Sequence, residues 1–328
     1  MSDATPLPAA SPHPGWLAHV PVPLFAVVMG VAGLGLAWRK AHEVLSVPEA
    51  VGEALCALSA VLFVSIAGLY AAKALRFPVE TRREFDHPVR SSFFAAISIS
   101  LMLLAAGAFP HWPDLARGVW LAGATLHLAL TLRVLSRWLL HRHEIQHASP
   151  AWFIPVVGNI VAPILGVRLG LVEVSWFFFS VGMLFWPPLL AIVLYRLIFH
   201  EDMPPRMAPT LFVLLPPPAI GFLSWVALNG GVVDAPARML FHAALFLTLL
   251  LLSLWRHFQK TPFAVSWWAY TFPLDAVTLA ALQYATMTGA PAIAWMASAL
   301  LVVSTLVVGA VLVRTVSAML ADALFVPE

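Results

Sequence analysis

Ten apolar runs follow one another along this chain, and nearly every charged residue falls in the short connections between them. A helix needs about 20 consecutive apolar residues to cross the hydrocarbon core of a bilayer. The runs lie at 16–38, 51–75, 91–109, 116–138, 151–167, 173–198, 209–228, 237–255, 264–288 and 292–318. The fifth is short and carries Pro155, Gly158, Pro163 and Gly166, so its ends are the least defined. Composition agrees, since 61% of residues are hydrophobic and only 10% charged, whereas a soluble domain carries about 25% charged residues. Lipid is the only solvent that suits such a surface. The sequence therefore predicts an all-α integral membrane protein with a flexible N-terminal tail at 1–15, one transmembrane domain at 16–318 and a short tail at 319–328. Residues 1–15 hold four prolines, one acid and no Lys or Arg, and so lack the basic start of a cleaved signal peptide.

The basic residues predict an orientation. All but five of the eighteen Lys and Arg fall on one side of the expected spans; the five are Arg39, Lys40, Arg117, Arg168 and Arg238. By the positive-inside rule the richer side is cytoplasmic, and an even number of spans places both termini there. The longest inner connection, Arg76 to Arg90, mixes Glu80, Glu84 and Asp86 with its bases and ends in His87-Pro88. It reads as a solvated linker with a helix start, or as a positive rim at a pore mouth. Elsewhere the bases cap helix ends, a distribution that does not point to nucleic-acid binding.

The runs alternate in character. The first carries Pro21, Pro23, Gly30, Gly33 and Gly35; the fifth has the set above; the seventh has Pro216, Pro217, Pro218 and Gly221; the ninth has Pro273. The third departs from this pattern, with only Gly107 late in the run. Even-numbered runs are smoother, although Pro187-Pro188 interrupts the sixth. Proline removes a helix hydrogen bond and frees a carbonyl, and in lipid such backbone survives only where protein or a water-filled cavity covers it. Broken odd helices facing inward and smooth even helices facing outward would satisfy this, as five helical hairpins around a central axis.

Enzyme chemistry finds little support. No Walker loop, H-E-x-x-H motif or Ser/His/Asp signature occurs. His141, His143 and His147, with Glu144, form an H-x-H-x3-H cluster in an inner connection, where solvated histidines are ordinary. His127 and His242 each stand alone in a span and read as buried, satisfied histidines; Cys56, the single cysteine, reads as a small core residue. Intramembrane ionisable residues are more informative, because each is costly and tends to be functional. Asp275 is the clearest. It follows Trp267, Trp268 and Tyr270, which fit an aromatic belt at the interface, and Phe272, which precedes Pro273. At about 100° per residue, Asp275 and Gln283 fall within roughly 60° of Phe272 on the helix.

Several motifs, in order, resemble one family. They are Pro23-Leu-Phe-Ala-Val-Val-Met-Gly30, His87-Pro88, Phe153-Ile-Pro-Val-Val-Gly-Asn159, Ser175-Trp-Phe-Phe-Phe-Ser180 and Phe263-Ala-Val-Ser-Trp-Trp-Ala-Tyr-Thr-Phe-Pro273, with Gln283-Tyr284 beyond. The chain from about residue 16 to 318 resembles the tellurite-resistance/dicarboxylate transporter family, which includes bacterial TehA and the plant slow anion channels. The resemblance implies ten helices as five hairpins around a pore, proline-kinked inner helices, a homotrimer and a place in the inner membrane. It implies an anion channel or channel-like permease for small inorganic or carboxylate anions, not an enzyme, with no nucleotide or metal cofactor. Phe272 matches the family's gating phenylalanine, with Tyr284 and Pro273 influencing it. Asp275, Gln283 and Asn159 stand as candidates for pore lining or a proton site. Fixed negative charge one turn from an anion gate is a departure: Asp275 points away from the pore, stays protonated through burial, or serves proton-linked transport. The last would make the chain a proton-coupled carrier of dicarboxylate, sulfite or tellurite-like oxyanions.

Overall fold

The computed structural model describes residues 15–321 and 323–325, and these are helical or in short connections, with no strand among them. The tail expected at 1–15 lies outside the described residues except for Gly15, and that expected at 319–328 is described in part, the last helix running through Leu320. All ten apolar runs are helical. Eight are long and apolar enough to cross a membrane: Val22–Leu45, Glu49–Arg76, Arg90–Ala108, Pro113–Leu140, Val172–Phe199, Pro205–Leu228, Ala235–Ser253 and Pro291–Leu320. The other two are the broken fifth segment, Pro150–Gly166, and the ninth, which contains the α-helix Thr271–Thr288. The first helix outruns its expected end at 38. Its Arg39 donates to the Gly107 carbonyl (2.5 Å) and pairs with Glu53 (2.6 Å), so the charge continues within the helix. The left-handed Ser46 (φ 56°) then closes it.

Burial separates the segments as their breakers suggest. The first, third and seventh are 72%, 67% and 67% buried over their apolar windows, whereas the even-numbered spans are 17–33% buried. The third, which lacks the proline signal, belongs with the buried set. Every odd segment also begins in a tight 3-10 coil before relaxing to α-helix: Val22–Phe25, Arg90–Phe94, Pro150–Trp152, Pro205–Leu214 and Val265–Tyr270. Pro216 and Pro273 each fall in the first turn of the α-helix that follows, where a missing N–H costs little. Pro273 thus marks a 3-10-to-α join rather than a bend within an α-helix. The odd segments contact each other in a closed circuit, first to third, third to fifth, fifth to seventh, seventh to ninth and ninth to first. Each even helix packs along the odd segment that precedes it.

Side-chain donors reach four carbonyls of the broken fifth segment. Thr131 donates to the Pro155 carbonyl (2.7 Å), Asn159 to that of Val156 (2.7 Å), Ser224 to Ile160 (2.5 Å) and the Trp120 indole to Ala162 (3.1 Å). At the start of the first segment a buried ion pair does similar work. Lys73 donates to Glu84 (2.7 Å) and to the Val20 carbonyl (2.7 Å), while Glu84 also accepts from Tyr70 (2.8 Å) and the Val22 amide (2.7 Å). The connection 76–90 is therefore more than a solvated linker: its helix Pro78–Asp86 delivers a buried carboxylate. Removing one partner of such a pair strands the other charge, so Lys73→Met should cost about 3–5 kcal/mol. Thermal unfolding in detergent should show this as a large fall in midpoint, and Arg82→Met on the exposed side of that loop should not.

Candidate functional site

A cavity of about 70 Å³ lies where the five odd segments meet. Pro23 and Met29 of the first, Phe93 and Ile99 of the third, Phe153 and Ile160 of the fifth, Val213 and Ile220 of the seventh, and Trp268 and Phe272 of the ninth all line it. The wall carries no charged residue. Among the cavity's lining residues Pro23, Ile154, Val265 and Ser266 are partly exposed, whereas Phe93, Phe153, Ile160 and Phe272 are buried. Its volume admits a few water molecules, and an apolar wall gives them almost no hydrogen-bond partners.

Phe272 is held by the glycines of the first helix. A Cβ placed on Gly33 would lie 3.3 Å from the Phe272 ring, 3.0 Å from Asp275 Oδ2 and 3.1 Å from Asp275 Cβ. One on Gly30 would overlap the Thr271 hydroxyl, which donates to the Trp268 carbonyl at 2.8 Å. The missing side chains let the ninth segment approach this closely. Trp268 is fully buried, lines the cavity and donates to Thr315 of the tenth helix (2.9 Å). Its burial does not fit an interfacial belt; the neighbouring Trp267 is partly exposed and donates to the Pro262 carbonyl (2.9 Å).

The remaining sequence candidates are dispersed. Asp275 is fully buried against Gly33, outside the cavity lining, and neither carboxyl oxygen has a hydrogen-bond partner among the described residues. Asn159 is also buried behind the wall, donating to Thr131 Oγ1 (2.9 Å). Gln283 is partly buried and contacts the Met287 sulfur (3.2 Å). Tyr284 lies far along the helix from Phe272. It stacks on Phe241 with centroids 4.0 Å apart and planes 6° apart, and accepts from Arg238 at 3.3 Å. His127 bonds Ser98 through Nδ1 (2.8 Å) with Nε2 unpartnered, so it is only half satisfied. His242 is exposed, not buried as expected, because its side of the eighth helix faces an open recess. Ile99, Phe153 and Ile220 of the wall were not legible as site residues, since apolar side chains at helical spacing read as packing.

A polytopic helical membrane protein built around a narrow, uncharged cavity is the class that this fold and site define. Residues 19–316 match the family model described as "Voltage-dependent anion channel", SLAC1. The chain belongs to that family, in agreement with the motifs that resemble TehA and the plant channels. It is 31% identical to the S-type anion channel SLAH3 of Arabidopsis thaliana, over 92% of this chain and 48% of the relative. It is 28% identical to the guard cell S-type anion channel SLAC1 of the same plant, over 82% and 50%. The tellurite resistance protein TehA homolog of Haemophilus influenzae is 25% identical, over 81% of each chain. The chain thus spans about half the length of these two plant relatives.

The close contact at Gly33 yields a direct test. Gly33→Ala must move either the ring or the carboxyl, at a cost of about 1–3 kcal/mol. Gly68→Ala on the outer face meets nothing within 4 Å. Unfolding midpoints in detergent should fall for Gly33→Ala and hold or rise slightly for Gly68→Ala.

Proposed function

We propose that this chain is an anion channel of the inner membrane, with the central cavity on its conduction path and Phe272 as the gate. In this reading ten spans form five hairpins, the odd ones lining the pore, and both termini are cytoplasmic. The observation that carries it is the closed circuit of odd segments around an uncharged cavity with Phe272 on its wall. The names of the plant relatives support the choice of anions, and the small inorganic or carboxylate ions remain the expected class. A wall without fixed negative charge does not repel an anion, and a hydrophobic constriction blocks conduction by excluding water. Tyr284 and Pro273 set the gate indirectly, through the helix that carries it. The chain acts as a homotrimer with one pore per subunit, and native mass spectrometry in mild detergent should give three copies; a monomer in nanodiscs would remove that part.

A proton-coupled carrier is the second reading, and the unpartnered carboxyl of Asp275 favours it. The two separate in liposomes under imposed nitrate or malate gradients, with and without a pH gradient. A channel follows the anion gradient alone, and Asp275→Asn should leave its flux intact between about pH 6 and 8, because the carboxyl lies off the path. Proton-dependent uptake abolished by that substitution would install the carrier.

The gate itself is tested by Phe272→Ala. The truncation removes a ring from the cavity wall while keeping Pro273 and helix propensity, so conductance should rise strongly with folding unchanged. Phe272→Leu should give a smaller rise and Trp267→Ala none. Wild-type currents from Phe272→Ala at matched expression would return Phe272 to ordinary packing.

A further inference from the structure

A second recess opens away from the central cavity, where the connection after Leu228 meets that after Thr288. Arg238 and His242 of the eighth helix and Tyr284 and Thr288 of the ninth contribute its polar groups, and its volume is about 780 Å³. No acid lines it. Asp234, the acid one turn before Arg238, is committed elsewhere: it accepts from the Trp225 indole (2.8 Å), the Asn229 amide (2.9 Å) and the Ala237 N–H (3.0 Å). Among the described residues Arg238 has no carboxylate within ion-pair distance. Its one side-chain hydrogen bond among the described residues goes to the Tyr284 oxygen at 3.3 Å. That oxygen accepts, so its own proton remains to be donated, and the stacked Phe241 ring fixes where it stands. The His242 ring meets Tyr284 edge-on at 5.8 Å and adds a further ring N–H.

An arginine snorkelling from a helix end is ordinary. Here it is instead tethered across two helices to a buried phenol, in a concavity that also carries the His242 ring and holds no competing acid. We infer that this recess binds a small oxyanion, held by the planar guanidinium of Arg238 and the hydroxyl of Tyr284. Guanidinium groups grip planar or tetrahedral oxyanions through paired N–H donors. The site lies on the same helix as Phe272 but ~18 Å along it, so it is a docking or regulatory site rather than the constriction. Taking a permeant-type anion as occupant rests on the channel reading. A lipid phosphate offers the same chemistry, so the test separates the two.

Purified full-length protein in lipid-free detergent is titrated with nitrate or sulfate against gluconate at equal ionic strength, and its unfolding midpoint followed. Wild type and Phe272→Ala should both be stabilised. Arg238→Gln should need about tenfold more anion for the same shift, and Arg238→Lys, which keeps charge but loses the fork, should fall between. If Arg238→Gln folds poorly, Arg238→Lys carries the test alone. An equal response in the Arg238 variants, or none in wild type, overturns the inference. So does stabilisation that needs phosphatidylglycerol nanodiscs and is absent with inorganic anions, which would assign the recess to a lipid headgroup. Wild-type currents from Phe272→Ala with an intact Arg238-dependent shift would remove the gate and leave this site standing.

Discussion

Backbone amides inside a bilayer have no water to turn to, and that requirement organises this molecule. Five segments depart from α-helix as 3-10 coils, most of them rich in proline, and each proline leaves a carbonyl without its usual N–H. The fifth shows the solution most fully: Thr131 and Trp120 come from the fourth helix, Ser224 from the seventh, and Asn159 from the segment itself. A segment satisfied in this way cannot face lipid. Continuous helices such as Glu49–Arg76 and Pro291–Leu320 satisfy their own backbone and can. The inside-and-outside arrangement follows from hydrogen-bond demand as much as from hydrophobicity, since both kinds of segment are apolar.

The same arrangement leaves a cavity on the inside. Broken segments with glycine and proline approach closely but fill space unevenly, and their apolar side chains leave a narrow, uncharged void. Close approach also sets the ninth segment. Gly30 and Gly33 let Thr271, Phe272 and Asp275 lie against the first helix, so the ring on the cavity wall and the buried carboxyl share one seat. The Lys73–Glu84 pair holds the beginning of the first segment to the second and to the 78–86 helix. Its geometry satisfies both charges and two backbone groups, the condition under which a buried ion pair is tolerable.

Much of the fold could be read from composition and spacing, because a bilayer turns length and hydropathy into topology. The inward bias of the first, fifth, seventh and ninth segments was legible in their prolines and glycines. The third was not: it is buried like its counterparts, yet its polar cost lies in Ser98 and Ser100, which bond His127 and the Phe25 carbonyl and look unremarkable in sequence. Trp268 and Trp267 are adjacent and identical in type, and only packing against Thr315 separates the buried indole from the partly exposed one. His242 was equally ambiguous, since a lone histidine in an apolar helix carries no mark of the side it faces.

The sequence by itself determined that this chain belongs in a membrane, where its helices begin and end to within a few residues apart from the far end of the first, and that Phe272, Pro273 and Asp275 form an unusual run. Those properties are local, set by the transfer cost of each residue and by helical periodicity. Tertiary structure decided which residues share a space. It brought Phe272 to a wall built from five segments, turned Asp275 onto Gly33 behind that wall, and carried Tyr284 away to Arg238. Helical angle alone set Asp275 and Phe272 on one face. The close approach of a glycine-bearing helix divided that face between a cavity and an interface, and such an approach depends on a partner more than two hundred residues away.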